Sequence, residues 1–400
     1  MRIHLFCFSI ALLALGNAQD WTGFRGDGTS RFTKPTNLPV EWSDTRNLAW
    51  SQDLPGYGQS SPVIWGDQVF VTSADGKEKE RLIIASFDLE TGNPLWQGTF
   101  PASVKIGATD MVSRGAPTPV VDENCVYAFF ESGDLIALNH EGERLWQRSL
   151  TSEYGEYEGG HGLGSSLAAT NETLIVLADH QGASYLLSID KKTGENVWKV
   201  DRESRISWTS PVVIGDWIWI TSNGIVETRK TSDGSQVWAV EGMEGNTVAS
   251  ASVSPDQQLV VIGCSAPGQS QAISRDGAEL WRAEKVTSSF GSPLVYDGCA
   301  YFVSRAGALR CNDLADGSLL WETRLSESCW ASPVSAGGLL YFFCKDGTTF
   351  VLKPNREEPE ILAQNKVSDL TGDRIYGVAL TSSRFIARTG SKLVCIAIVE

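Results

Sequence analysis

The chain has 400 residues, 42% hydrophobic and 20% charged, a balance that excludes a disordered polymer and supplies a large core. Its 33 basic against 48 acidic side chains give a net charge of −15, which repels phosphate backbones and anionic headgroups, so nucleic acid is not an expected partner. The 39 glycines and 14 tryptophans predict many tight turns and a recurrent aromatic packing position.

Residues 1–18 read as a secretory leader. Arg2 supplies the positive start, Leu5 to Leu15 the apolar run, and Gly16-Asn17-Ala18 a small-residue cleavage site near Ala18. The run is too short to span a membrane, and no later segment reaches about 18 apolar residues. Cys7 lies inside the run, so no lipobox is seen. An exported chain, periplasmic or extracellular, is expected. Cleavage removes Arg2 and no acid, leaving 32 basic against 48 acidic residues and a net charge of −16. Residues 19–46 form an arm with a turn at Gly26-Asp27-Gly28 and apolar anchors Trp21, Phe24 and Trp42. It is expected to pack on the rest of the chain without regular structure.

From residue 47 onward the chain repeats itself. Asp88-Leu-Glu-Thr-Gly-Asn-Pro-Leu-Trp96 returns as Asp190 to Trp198 and Asp313 to Trp321, with looser copies ending at Trp146, Trp238 and Trp281. A Ser-Pro-Val-like start precedes each copy: Ser61, Thr118, Ser166, Ser210, Ser250, Ser292, Ser332 and, degenerate, Gly377. Between the markers lie short β-branched and aromatic runs separated by glycine turns, with no helical period. Four such strands per repeat of about 40–50 residues describe a propeller blade. The prediction is all-β: one eight-bladed β-propeller of four-stranded antiparallel blades over 47–400.

The eighth repeat ends at the C-terminus without its Trp strand, while an orphan Trp strand, Asn47-Leu-Ala-Trp50-Ser, stands before the first repeat. Residues 47–54 are therefore expected to pair with the C-terminal blade and remove its free edge. The seventh repeat has Glu360-Ile-Leu-Ala363 in place of its Trp strand. Trp50, Trp96, Trp146, Trp198, Trp238, Trp281 and Trp321 are predicted to be structural, each cementing a neighbouring blade.

After the leader seven cysteines remain, with no CxxC and no adjacent pair. This weakens zinc and redox readings, and most read as small buried hydrophobes. Cys299 and Cys311 flank one hairpin and can face each other. The loops entering the innermost strands bring Gln59, Arg114, His161, Trp208, Phe290, Trp330 and Tyr376 toward the channel mouth, where aromatic rings can stack on a sugar or planar ligand and Arg or His can hold an anion. Trp208, Phe290 and Trp330 can equally plug the channel. The stretch Ser152 to Gly164 carries three carboxylates, two phenols and His161, suited to a cation or polar ligand or simply to a solvated loop with rim packing. Lys105 to Ala116, with Asp110, is a second long rim loop. His140 and His180 fall in turns, His140 expected exposed. No HExxH, GxSxG or P-loop is present, so no catalytic residue and no metal ligand is assigned.

The Asp-x-x-Thr-Gly-x-x-x-Trp repeats resemble the tryptophan-docking motif of pyrroloquinoline-quinone (PQQ) repeat propellers, a group that includes quinoprotein dehydrogenases and BamB-like scaffold proteins. Trp21-Thr-Gly-Phe24-Arg25-Gly26 and His161-Gly-Leu-Gly-Ser165-Ser166 are similar to segments of secreted PQQ-binding-like propellers of planctomycete type. The resemblance implies the propeller fold and a non-catalytic binding or scaffold role in the periplasm or cell envelope, with a protein or an envelope polysaccharide as partner and a monomer as the expected state. No cofactor is expected. Two alternatives stand beside this reading. One is a quinoprotein oxidoreductase using PQQ and calcium, against which the missing adjacent-cysteine pair counts. The other is a carbohydrate-binding or carbohydrate-processing propeller using the aromatic rim.

Overall fold

The computed structural model describes residues 21–107, 113–288 and 290–399. The expected leader and Asp110 lie outside them. The chain forms eight separate sheets arranged as successive blades, each built on four antiparallel strands that follow one another in sequence in all but the last blade. Blade 1 is Val63–Trp65, Gln68–Asp75, Arg81–Asp88 and Pro94–Pro101. Blade 8 is Gly377–Leu380, Arg384–Arg388 and Lys392–Ala397, completed by Leu48–Asp53. In that last pairing Leu48 faces Ile396, Trp50 faces Cys395 and Asp53 faces Lys392. The expected closure is thus the observed one, and it gives blade 8 an outer strand from the other end of the chain.

Burial follows strand position. The second and third strands are almost wholly buried, as in Arg81–Asp88, whereas the fourth alternates between half-buried and exposed, as in Pro94–Pro101. The reason is packing on both faces: inner strands lie between two neighbouring blades, and the fourth reaches the perimeter. Among the described residues from 47 onward the helical segments are one turn at Leu150–Tyr154 and a 3-10 turn at Ser368–Leu370.

The repeat motif has a direct physical reading. Each indole N–H donates to a carbonyl in the motif turn of the next blade: Trp50 to Leu89 at 3.2 Å, Trp96 to His140 at 2.6 Å, Trp146 to Lys191 at 2.9 Å and Trp198 to Thr231 at 2.9 Å. Trp238 reaches Arg275 at 2.7 Å, Trp281 reaches Leu314 at 2.8 Å and Trp321 reaches Asn355 at 2.7 Å. In six of the seven the ring then lies on the glycine of that turn; the turn that receives Trp321, Lys353 to Pro359, has none. Gly317 has φ +74°, and a Cβ there would sit 2.6 Å from the Trp281 ring, so both the backbone conformation and the space require glycine. Each such ring buries about 150–250 Å², an upper estimate of several kcal/mol at roughly 25 cal/mol per Å².

Blade 7 breaks the pattern. Ala363 pairs with Val351 where Trp321 pairs with Cys311 in blade 6. The arm makes good the missing ring. Trp42 is 5% exposed, belongs to the core cluster shared by blades 7, 8 and 1, and lies 5.8 Å from the Phe385 ring. Its backbone N–H donates to Asn365 Oδ1 at 2.9 Å, and Asn365 Nδ2 donates back to the Val40 carbonyl at 2.9 Å.

The arm also departs from the expectation of no regular structure. Arg31–Phe32 adds a fifth, parallel strand to blade 7 opposite Ser335 and Ala336. Trp21 bridges to Ile64 of blade 1, Thr22 O accepts from Val121 N of blade 2 at 2.9 Å, and Arg31 donates to Val253 O of blade 5 at 2.7 Å. Residues 21–32 thereby cross one end of the channel, meeting innermost strands on opposite sides of the ring.

Candidate functional site

With one end crossed by the arm, the channel becomes a blind well of about 260 Å³. Its floor is Phe24, and Gln59, His161, Trp208, Phe290, Trp330 and Tyr376 line it toward the mouth. Arg25 lies buried beside the floor residue, donating to Ala251 O at 2.8 Å, Ser252 Oγ at 2.8 Å and Ser30 Oγ at 2.9 Å. Burial, with Arg31 nearby, pulls its guanidinium down to about 9, and no carboxylate forms an ion pair with it among the described residues.

The wall explains the second sequence marker. Ser61 N–H donates to Thr118 Oγ1 at 2.9 Å, Thr118 N–H to Ser166 Oγ at 3.0 Å, and Ser166 N–H to Ser210 Oγ at 2.9 Å. The belt continues from Ser210 to Ser250 at 2.9 Å, Ser250 to Ser292 at 3.0 Å and Ser292 to Ser332 at 3.1 Å. Each blade is stitched to the next by a hydroxyl that accepts, and Ser61, Thr118, Ser166, Ser210 and Ser250 face the well with O–H protons left over for an occupant or water. The belt stops at blade 8, where a side chain on Gly377 would collide with Ser61.

At the mouth the rings are held in place. Trp208 donates from Nε1 to Gly162 O at 2.8 Å and stands 5.7 Å from the His161 ring. Phe290 and Trp330 stack at 4.1 Å and 24°. Tyr376 meets Trp330 edge-on at 5.8 Å and shares a 2.8 Å hydrogen bond with Tyr57, whose hydroxyl also donates to Asp373 at 3.1 Å. Burial first, then these partners, hold the Tyr57 phenol well above its ordinary value, so it stays protonated. Phe290 and Trp330 also line an adjoining groove of about 590 Å³ with Arg305, Lys345, Asp346 and Arg374. Arg374 lies 4.6 Å over the Trp330 ring, a cation–π contact. The groove's acids are turned to their own loops: Asp373 accepts from Arg374 N at 2.7 Å and Gly390 N at 3.0 Å, and Asp346 from Thr348 N at 3.1 Å. Arg305 and Arg374 form no ion pair among the described residues, whereas Lys345 pairs with Glu327 at 3.1 Å.

Six of the seven mouth residues expected from sequence therefore meet in one cavity. Arg114 is the exception. Its backbone N–H donates to Gln59 Oε1 at 3.0 Å, but its guanidinium lies 5.4 Å over Tyr57. A buried Lys79–Glu131 pair at 3.1 Å holds its loop, Glu131 accepting from Gly115 N at 3.0 Å. Sequence reasoning missed Phe24 as the floor and Tyr57 and Arg374 at the rim. The signal available was the position of Arg374, two residues before Tyr376 in the same loop.

The stretch Ser152 to Gly164 is rim packing. Glu153 pairs with Arg148, Tyr157 hydrogen-bonds Tyr185 at 2.9 Å, and no cluster of three metal-binding side chains occurs among the described residues. His180, 7% exposed, accepts at Nδ1 from Glu158 N and Gly182 N, each at 3.0 Å, which leaves Nε2 to donate to Ala183 O at 3.1 Å. Burial lowers its pKa. His140 is half-buried rather than exposed, 5.6 Å from the Phe70 ring and bonded to Asp122 O at 2.9 Å. All seven cysteines are buried and free.

The sequence profile of the family described as "Outer membrane protein assembly factor BamB" matches residues 23–240 and 266–358. The chain belongs to this family. A relative described as outer membrane protein assembly factor BamB, from Alkalilimnicola ehrlichii, is 32% identical over 162 residues, covering 40% of this chain and 36% of that protein. The chain thus matches little more than a third of that relative's length. The crystal structure of BamB from Moraxella catarrhalis superposes with a TM-score of 0.66 at 16% identity, over 88% of this chain and 99% of that one. A europium-containing methanol dehydrogenase superposes with a TM-score of 0.73 at 13% identity, over 95% of this chain and 98% of that one. At these identities both structures share the fold, and the fold is common to an assembly factor and a dehydrogenase. No helix among the described residues is long and apolar enough to cross a membrane.

Proposed function

We propose that this protein is a non-catalytic binding propeller of the cell envelope that receives a protein partner at the mouth of the well. The observation that carries the reading is the mouth itself: fixed aromatic rings, two guanidinium groups free of ion pairs, and a channel closed from behind by the protein's own arm. Rings that are already hydrogen-bonded and stacked lose little freedom when a partner lands on them, which favours binding. Membership of the BamB family supports an envelope location and a scaffold role. The lining of the well counts against a calcium-held quinone there. The wall carries hydroxyls, and no carboxylate lines the well among the described residues.

The test is quantitative capture from native envelope extract on immobilised protein, compared with a Trp330→Ala, Arg374→Ala variant. The reading expects a defined protein enriched at least about tenfold and lost in the variant, since exposed hot-spot truncations cost roughly 2 kcal/mol or more. Equal capture by both proteins would remove the site. Retention on envelope polysaccharide alone would replace the protein partner by a glycan.

A further inference from the structure

Blade 7, with strands Val334–Ala336, Leu339–Phe343, Thr348–Lys353 and Glu360–Lys366, brings two thiols together under the groove. Cys329 directly precedes Trp330, and Cys344 directly precedes Lys345 and Asp346, so each thiol is one residue from a wall of that groove. The two cysteines form an isolated antiparallel bridge. Lys345 N–H donates to Ser328 O at 2.9 Å, which makes Cys329 and Cys344 a non-hydrogen-bonded pair, the arrangement in which opposite side chains stand closest. Their Sγ atoms are 3.9 Å apart, and the residues are 1% and 0% exposed. The other close pair is placed differently. Cys299 stands opposite Asp313 and Cys311 opposite Tyr301, so those two thiols are diagonal neighbours across a sheet.

We infer that Cys329 and Cys344 are a disulfide site, whose bond would clamp the loop carrying Trp330 to the hairpin carrying Lys345. Directly opposed residues of a non-hydrogen-bonded pair lie within the Cα separation that a disulfide spans. In the cell the bond rests on the envelope location proposed above, because that compartment is oxidising. The chemistry is thiol–disulfide exchange with a disulfide oxidant. One cysteine thiolate attacks the oxidant and expels a thiolate, giving a mixed disulfide. The second cysteine attacks that sulfur, closes the Cys329–Cys344 bond and expels the other thiolate. Two cysteine thiols are oxidised, one oxidant disulfide is reduced to two thiols, and the two cysteine protons pass to the leaving groups. Since both thiols are buried, exchange happens before blade 7 closes.

The experiment needs no assumption about location. The full chain is unfolded, refolded with oxidised glutathione in excess over reduced, alkylated in denaturant and mapped by mass spectrometry. The expected result is a Cys329–Cys344 linked peptide, two hydrogens lighter than its reduced parts, with the other cysteines of residues 21–399 alkylated. Oxidised protein should melt higher than reduced protein by on the order of a few degrees, and a Cys329→Ala, Cys344→Ala variant should lose that difference. Two fully alkylated thiols, or a Cys299–Cys311 link in their place, overturns the inference. A chain that does not refold is mapped instead after acid-quenched isolation from its host, with the same two outcomes. A linked pair in refolded protein but free thiols in host protein would overturn the envelope location and leave the site standing.

Discussion

Seven blade seams are closed from within the repeat, and one is closed from outside it. At the six successive seams from blade 1 to blade 7, and at the seam between blades 8 and 1, the outer strand of one blade lays an indole on the next blade's turn and hydrogen-bonds its carbonyl. Between blades 7 and 8 the outer strand has Ala363, and Trp42 of the arm supplies the ring. Both put an indole at a seam, but the docked rings hold a turn carbonyl through the indole N–H, whereas Trp42 is held through its backbone N–H by Asn365 and packs on Phe385. A docked seam is local and can form as soon as two repeats exist. The arm-sealed seam joins residues some 320 positions apart, and the same arm goes on to close the channel. The loss of one tryptophan from the repeat is thus coupled to the making of the well.

Removing residues 47–54 should have the largest effect on this picture. It deletes the outer strand of blade 8 together with Trp50, exposes a sheet edge and costs several kcal/mol, read as a large fall in the denaturation midpoint. An unchanged midpoint would break the closure. Next, Trp42→Ala should cost about 3–5 kcal/mol, the range of buried aromatic truncations, and should match Trp281→Ala within about 1 kcal/mol if the arm's ring is a true substitute for a docked one. A Trp42→Ala cost below about 1 kcal/mol would show that seam 7–8 is held by strand contacts alone. The smallest effect comes from acid and touches neither seam. His180 is held neutral in the fold, with its pKa lowered by burial. Protons therefore bind the unfolded chain first as pH falls through about 6.5, and stability declines below that value. His180→Gln should flatten the stability change between pH 7 and pH 5, and both seam variants should keep the wild-type slope.

What was legible in the sequence was whatever repeats. The Trp motif, the Ser-Pro-Val starts and the orphan strand at Trp50 carry the blade count and the closure, because each recurs with a fixed period or stands out by its absence. The arm was illegible for the opposite reason. Residues 21–32 have no period, and their hydrogen bonds go to blades 1, 2, 5 and 7 one at a time, so nothing local in the sequence announces them. The clue lay in two separate places: a repeat without its tryptophan at Ala363 and a spare tryptophan at residue 42. At the site, positions were readable and directions were not. Gln59, Trp208, Phe290 and Trp330 each stand two residues before the marker serine of their repeat, and with His161 and Tyr376 they reach one cavity, but Arg114, four residues before Thr118, turns its guanidinium onto Tyr57. The role of the Ser-Pro-Val serine was likewise hidden, since its hydroxyl serves the neighbouring blade rather than its own.

The strand Leu48–Asp53 is made before the blades that follow it, and its partner Lys392–Ala397 is made 339 positions later, counted from Asp53 to Lys392. At about 5–20 residues per second the two are separated by tens of seconds of synthesis. For all of that time the outer strand of blade 8 waits without its partner, and such blades as are complete form an open arc. Ring closure therefore waits on the strand Lys392–Ala397, and no fragment that lacks it can complete the circle.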